Sequence, residues 1–351
     1  MTDTISGIMM NFGVAYDNDK INYRTHLKNA FSRAEQIGGM DCVNKCFIKI
    51  MYDWNLSLEE FKIAIEEGVD PRYNDDMPFI YSCKYTPSTI AHYLLETYNA
   101  DIHAHNNLIF SYPGIYIIDN CLIQTLLDRG TEIDLLMVHC LCYPDKLKII
   151  IDRGTDLNLI LKNYIDIENS EYTATISDSK YNAKILLDAI INSDKSIDIN
   201  ILNIFLEKNI SIFDLDSIKI FINLGADPRF NNDSIFIKSC AVAKQKIEIP
   251  FYFLSDCNCD INAQNSKALL YSIEVYNLDI SRFLLDFGAK VFEKHISQAL
   301  INGHAYVTLL LNSGVSLELI AEVYVDNIRN LQIVKLLINK GASLDAIITS
   351  Q

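Results

Sequence analysis

Along most of the chain, apolar residues recur at three- and four-residue intervals in short runs that stop at a glycine. IAIEEG ends at Gly68, IQTLLDRG at Gly130, LKIIIDRG at Gly154, IKIFINLG at Gly225, ISRFLLDFG at Gly288, VTLLLNSG at Gly314 and IVKLLINKG at Gly341; Asn takes the glycine's place at Asn99 and Asn258. Such spacing belongs to helices with one buried stripe. Gly and Asn tolerate the left-handed conformation with which many helices close, so the pattern predicts a C-cap at each position. The caps fall 31 residues apart from Gly68 to Asn99 and again to Gly130, then 24 to Gly154; from Gly225 onward the steps are 33, 30, 26 and 27. A second apolar segment of helical length precedes most capped helices: PFIYSCKY, LLMVHCLC, SIFIKSCAV, KALLYSIEV and HISQALIN. The unit is a helix pair and a polar connection. One such pair cannot bury its apolar faces alone, so neighbours must stack.

This unit resembles the ankyrin repeat. In Ala268–Ala289, Leu269, Ile280, Leu284, Leu285, Gly288 and Ala289 fall on the family's positions. Leu331–Ala342 fits its second helix, and Gly303-His304 supplies its inter-helix dipeptide once. Gly225-Ala226-Asp227 and Asp260-Ile261-Asn262-Ala263 look like the start of its finger. The family's T-P-L-H tetrapeptide is nowhere intact: Pro78 is kept, but Ile80 and Leu270 stand where His belongs. The resemblance spans residues 41–345. It implies an all-α fold, an ankyrin-type helix-turn-helix repeat solenoid with short, partly lost finger loops, and binding of proteins rather than catalysis. The richness in Ile, Asn and Tyr, with degenerate units, resembles the ankyrin-repeat proteins of giant DNA viruses of amoebae.

A longer symmetry lies above the repeat. GVDPRYNDDMPFIYSC (Gly68–Cys83) answers GADPRFNNDSIFIKSC (Gly225–Cys240) at an offset of 157. Asn99 answers Asn258 at 159, Gly130 answers Gly288 at 158, and Gly154 answers Gly314 at 160. The expected organisation is an N-terminal segment (1–40) whose stretch Tyr23–Ile37 is a capping helix, a first block (41–197) and a homologous second block (198–351) in one continuous array. Residues 1–22 show no periodicity, and 166–180 reads as an inserted loop.

The net charge of −15, from 30 Lys+Arg against 45 Asp+Glu, argues against binding nucleic acid. No apolar run approaches the roughly 18 residues of a membrane span. The opening MTDTISGIMMNFGVAYD has neither a basic nor a clean apolar signal region. The expectation is a cytoplasmic monomer (host cytoplasm, if viral) with nine reduced cysteines. Cys140-x-Cys142 beside His139, and Cys257-x-Cys259, invite a metal reading. Two residues turn a helix by about 200°, which points the first pair apart, and structural zinc needs four ligands. Packing is the better reading for these, for Cys42 and Cys46, and for Cys83 and Cys240, which take the small-residue position of the first helix. His103 and His105 alternate in a finger, one exposed and one half-buried. No phosphate loop, nucleophile elbow or zinc-protease motif is present. No enzyme, cofactor or metal is expected.

The Asp-Pro-Arg turns remain. Pro fixes φ just past a capped helix, and the Asn/Asp residues that follow favour turns. Arg72, Tyr73, Arg229 and Phe230 project there, and Arg and aromatic side chains are common interface anchors. They are the candidate partner-binding residues, and their truncation to alanine is expected to leave folding alone. The expected function is a scaffold that binds a host or viral protein through fingers and first helices. The alternative is the substrate-adaptor subunit of a ubiquitin ligase, which needs an F-box-like terminal module that residues 1–40 do not resemble. Leu284 and Leu336 are placed on the buried stripes of second helices.

Overall fold

A computed structural model of the chain describes residues 5–18, 22–85, 88–110, 119–141, 143–168, 179–193, 196–242, 247–325 and 331–341. Most of the 166–180 insertion, Cys142 and the C-terminal residues from Ala342 lie outside them. Among the described residues the protein is all-helical. In chain order the helices are α1 (Ile5–Asn18), α2 (Tyr23–Asp53), α3 (Leu58–Glu66), α4 (Tyr73–Tyr85), α5 (Ser88–Tyr98), α6 (Ala104–Asn107), α7 (Asn120–Asp128), α8 (Ile133–Leu141), α9 (Pro144–Asp152), α10 (Leu157–Glu168) and α11 (Ser179–Ile191). There follow α12 (Ile199–Asn209), α13 (Leu215–Asn223), α14 (Phe230–Cys240), α15 (Glu248–Ser255), α16 (Ala263–Glu274), α17 (Leu278–Asp286), α18 (Glu293–Asn302), α19 (His304–Asn312), α20 (Leu317–Val325) and α21 (Leu331–Asn339). No helix among the described residues is long and apolar enough to cross a membrane.

Two compact units, Met1–Asn182 and Ala183–Gln351, divide inside α11. Within the first, α2 packs on α4 and α4 on α6, while α3, α5, α7 and α9 pack in series. Within the second, α12, α14, α16, α18 and α20 pack in series, and α12, α14, α16 and α18 each pack on the helix that follows. Helices thus touch their second neighbours as well as their hairpin partners, which is how stacked pairs cover each other's apolar stripes. Phe47, Phe61, Phe79 and Tyr164 are sealed in the first core, and Phe205, Phe221, Phe236 and Phe253 in the second.

The nine expected caps are all left-handed, from φ 49° at Asn99 to 102° at Gly68 and Gly225. At Gly225 the N–H bonds back to the Ile222 carbonyl (3.0 Å) and Ala226 N–H to the Phe221 carbonyl (3.0 Å), the paired bonds of a Schellman end. Four of the second helices begin on side-chain caps: Ser57 with Glu60 on α3, Asp214 on α13, Asp119 on α7 and Asn277 on α17.

The N-terminus differs from expectation. α2 is two helices joined at Gly38 and Gly39, where Gly39 takes φ 67°, so the capping helix ends at Ile37 as read. But α1, in a stretch without evident periodicity, is a helix that buries Ile8, Met9, Phe12 and Tyr16 against α2. Its stripe is a single i, i+4, i+8 line with Met9 beside it, too short to stand out. The chain's one tryptophan, Trp54, meets the Phe12 ring edge-on at 5.4 Å. Leu284 is fully buried as expected, whereas on α21 Ile333 and Leu337 are buried and Leu336 is half-exposed, a shift of one residue in the buried stripe.

Candidate partner-binding fingers

Four connections share one construction, starting at Asp70, Asp101, Asp227 and Asp260. Each aspartate accepts from the N–H two residues on: Arg72 (2.9 Å), His103 (2.9 Å), Arg229 (2.9 Å) and Asn262 (2.8 Å). Three successive left-handed residues follow: Asn74–Asp75–Asp76, His105–Asn106–Asn107, Asn231–Asn232–Asp233 and Gln264–Asn265–Ser266, all with φ between 50° and 64°. The left-handed region costs an L-residue roughly 1–2 kcal/mol, least for Asn and Asp, and nine of these twelve residues are Asn or Asp. The right-handed part of α4 begins after this turn, which puts Pro78 in the first helical turn, where no N–H is needed.

A clasp closes each turn between positions four apart. Arg72 donates from Nε and Nη2 to the two oxygens of Asp76 at 2.7 and 2.6 Å. Arg229 Nε reaches Asp233 Oδ1 at 3.3 Å. His103 Nδ1 meets Asn107 Oδ1 at 2.6 Å, and Ser266 Oγ donates to Asn262 Oδ1 at 2.9 Å. Asp76 and Asp233 are buried to 0% and 1% exposure. The hydrogen bonds to Asp76 hold the Arg72 guanidinium above its ordinary pKa. Each finger is also tied to its neighbours. Asp76 Oδ2 accepts from Asp101 N–H (2.8 Å), while Asn44, Asn203 and Asn262 accept from Asp70, Asp227 and Lys290 N–H at 2.9, 2.7 and 2.8 Å. His105 Nε2 reaches the Asn74 carbonyl (2.8 Å), Gln264 Nε2 donates to the Asn232 carbonyl (3.1 Å), and His295 Nε2 reaches the Ser266 carbonyl (3.0 Å). What stays exposed is the tip: Asn74, Asp75, Asn106, Asn231, Asn232 and Asn265.

Arg72 and Arg229 are exposed and Tyr73 and Phe230 half-buried, each pair at the base of a tip. The Tyr73 hydroxyl donates to Asp41 Oδ1 at 2.6 Å, and that bond raises its pKa. The expectation that truncating the arginines leaves folding alone is corrected. Each guanidinium compensates a buried carboxylate, and its loss would strand that charge. Asp76 and Asp233 are the members that sequence reading missed; the signal was an acid four residues after Arg inside an Asn/Asp run.

His103 is exposed and His105 half-buried, as the alternation implied. Cys83 and Cys240 are sealed, and burial raises both thiols, that of Cys240 to about 12. Cys46 is likewise raised to about 12 by burial, with Sγ 3.4 Å from Met9 Sδ. Such thiols are packing groups, not nucleophiles. Among the described residues no three His, Cys, Asp or Glu converge as metal ligands would. No known protein family, no curated protein and no solved structure matches the chain.

Proposed function

We propose that the chain is a degenerate ankyrin-type repeat solenoid that recognises a host or viral protein through its fingers and first helices, as a cytoplasmic monomer without catalysis, cofactor, metal or nucleic acid. The observation that carries this reading is the finger itself. Three consecutive left-handed residues are unfavourable, and they persist only where their surroundings over-determine them. Here clasps and inter-finger bonds hold four such turns while the side chains at their tips face solvent. Rigid, strained loops on a packed frame are a common way to present a recognition surface. Tyr73 and Phe230 supply aromatic anchors beside the tips. Arg72 and Arg229 combine a half-exposed guanidinium with the upkeep of the turn.

The test uses variants that spare the clasp. The full chain is used to capture partners from infected or host cells, beside Tyr73→Ala, Phe230→Ala and Asn231→Lys/Asn232→Lys. A protein recovered by the parent and lost from the variants, at unchanged melting temperature, supports the reading. Equal recovery by all four proteins would place binding elsewhere and remove the fingers from it.

A further inference from the structure

The duplication supplies an internal control for the second helices. In the first block their outer residues are polar, and the two arginines among them are tied down. His92 stands 3.9 Å from Asp119, Arg129 donates to Asn99 Oδ1 (3.1 Å) and to the Leu95 carbonyl (2.8 Å), and Arg153 pairs with Asp128 at 2.8 Å. By the offsets of 159, 158 and 160, the second block has Phe251 for His92, Phe283 for Thr125, Phe287 for Arg129 and Ser313 for Arg153, while Asp286 keeps the place of Asp128. Phe251 of α15, Phe283 of α17 and Phe287 at the C-cap of α17 gather into one cluster. Phe283 and Phe287 lie 4.5 Å apart between ring centroids, Phe251 and Phe287 6.0 Å at 89°, and Phe251 and Phe283 6.4 Å. Phe251 is 46% and Phe287 50% exposed. Asp286 is exposed and makes no ion pair among the described residues, even with Arg282 one helical turn before it on α17.

Polar positions have thus become aromatic in one copy only, with Phe251 and Phe287 half-exposed and Phe283 buried beneath them, beside a carboxylate that has lost its arginine. The surface is too small for a second copy of the chain. A stable dimer needs on the order of 800 Å² per partner, and two half-exposed phenylalanines offer roughly 200 Å². It suits one short segment of a partner, and charge selects which. The chain carries −15, and the acids Glu248, Asp256, Asp279 and Asp286 outnumber the one cation Arg282 on α15, α17 and the residue capping α15, and still outnumber the cations when Lys219 of α13, 5.5 Å from the Tyr252 ring, is added. We infer that the Phe251–Phe283–Phe287 cluster docks a basic peptide segment of a protein partner, whose guanidinium takes on Asp286 the place that Arg153 takes on Asp128. The same cation lies against the aromatic faces, where cation–π attraction adds to burial.

The probe is a short fluorescein-labelled peptide of alternating Arg and Leu with blocked termini, beside its Glu–Leu counterpart. Both are titrated into the full chain at about 0.15 M ionic strength and followed by anisotropy. Phe251→His/Phe287→Arg restores the first block's residues, and Asp286→Asn removes one exposed charge. The Arg–Leu peptide is expected to bind saturably, with affinity falling about tenfold or more in Phe251→His/Phe287→Arg and about two- to fivefold in Asp286→Asn, and the Glu–Leu peptide not to bind. Tyr73→Ala and Phe230→Ala leave this binding intact, so its outcome is separable from that of the finger reading. No binding of the Arg–Leu peptide, or equal binding by parent and variants as for unspecific attraction to an acidic chain, would overturn the inference. If the double variant does not fold, Asp286→Asn carries the test, since an exposed carboxylate is dispensable for stability.

Discussion

Arg72 and Asp76 stand four positions apart on a left-handed turn, and only Arg72 meets water. A buried carboxylate stripped of its partner typically costs about 3–5 kcal/mol; the half-exposed guanidinium here lets water replace part of it, so Arg72→Ala should cost about 2 kcal/mol. The fourth finger shows a neutral solution at the same positions, Asn262 with Ser266. Arg72→Asn/Asp76→Ser should therefore regain most of the loss, and a double-mutant cycle in urea measures the coupling. His295 offers a second test. It is fully buried, accepts from Phe292 N–H (2.9 Å) and faces the Ser266 carbonyl, and burial lowers its pKa. The unfolded imidazole titrates near about 6.5. A group whose folded pKa is depressed contributes fully above that value and loses its contribution as pH falls through it. The melting temperature should fall from about pH 7.5 to about pH 5.5, and His295→Gln should flatten that fall. His139, also lowered by burial, supplies the remainder.

At the scale of elements, α1 is the least expected helix and the easiest to probe. A Cβ at Gly13 would stand 2.7 Å from Trp54 Cζ2. In an open helix Gly→Ala stabilises by roughly 1 kcal/mol. Here Gly13→Ala forces the Trp54 indole or the whole helix to move, a strain of about 1–3 kcal/mol. The sign of the change therefore reports whether α1 docks on α2. The chain has one tryptophan, so a red shift of its emission reads the displacement directly. Unchanged emission with a gain in stability would show that α1 does not pack there. The capped helices needed no such help to be found: strong 3.6-residue stripes and side-chain caps coincide at α3, α7, α13 and α17.

Across the whole molecule, 45 acids face 30 bases, and self-repulsion opposes the folded state. Salt shortens the screening length from about 30 Å at 0.01 M to about 8 Å at 0.15 M. The melting temperature should rise over that range and duplex DNA should not be retarded. A fall in melting temperature would mean that attractive pairs such as Arg24 with Glu66 and Glu67 outweigh the repulsion.

Helix period, caps and duplication were legible because each is a local rule. A left-handed cap admits Gly or Asn wherever it occurs, and a one-sided helix repeats its apolar residues whatever it packs on. The exposed and half-buried histidines and the sealed Cys83 and Cys240 followed from the same register. The clasps were not legible. Arg72 and Asp76 look like two surface charges until Asp101 of the next finger closes over the carboxylate. Nor was the Phe251–Phe287 cluster, whose residues lie on different helices, or the stripe of α21, where Leu337 rather than Leu336 turns inward. Burial of a particular side chain depends on which neighbour covers it, and that neighbour is chosen by stacking across some thirty residues of chain, beyond the reach of any local pattern.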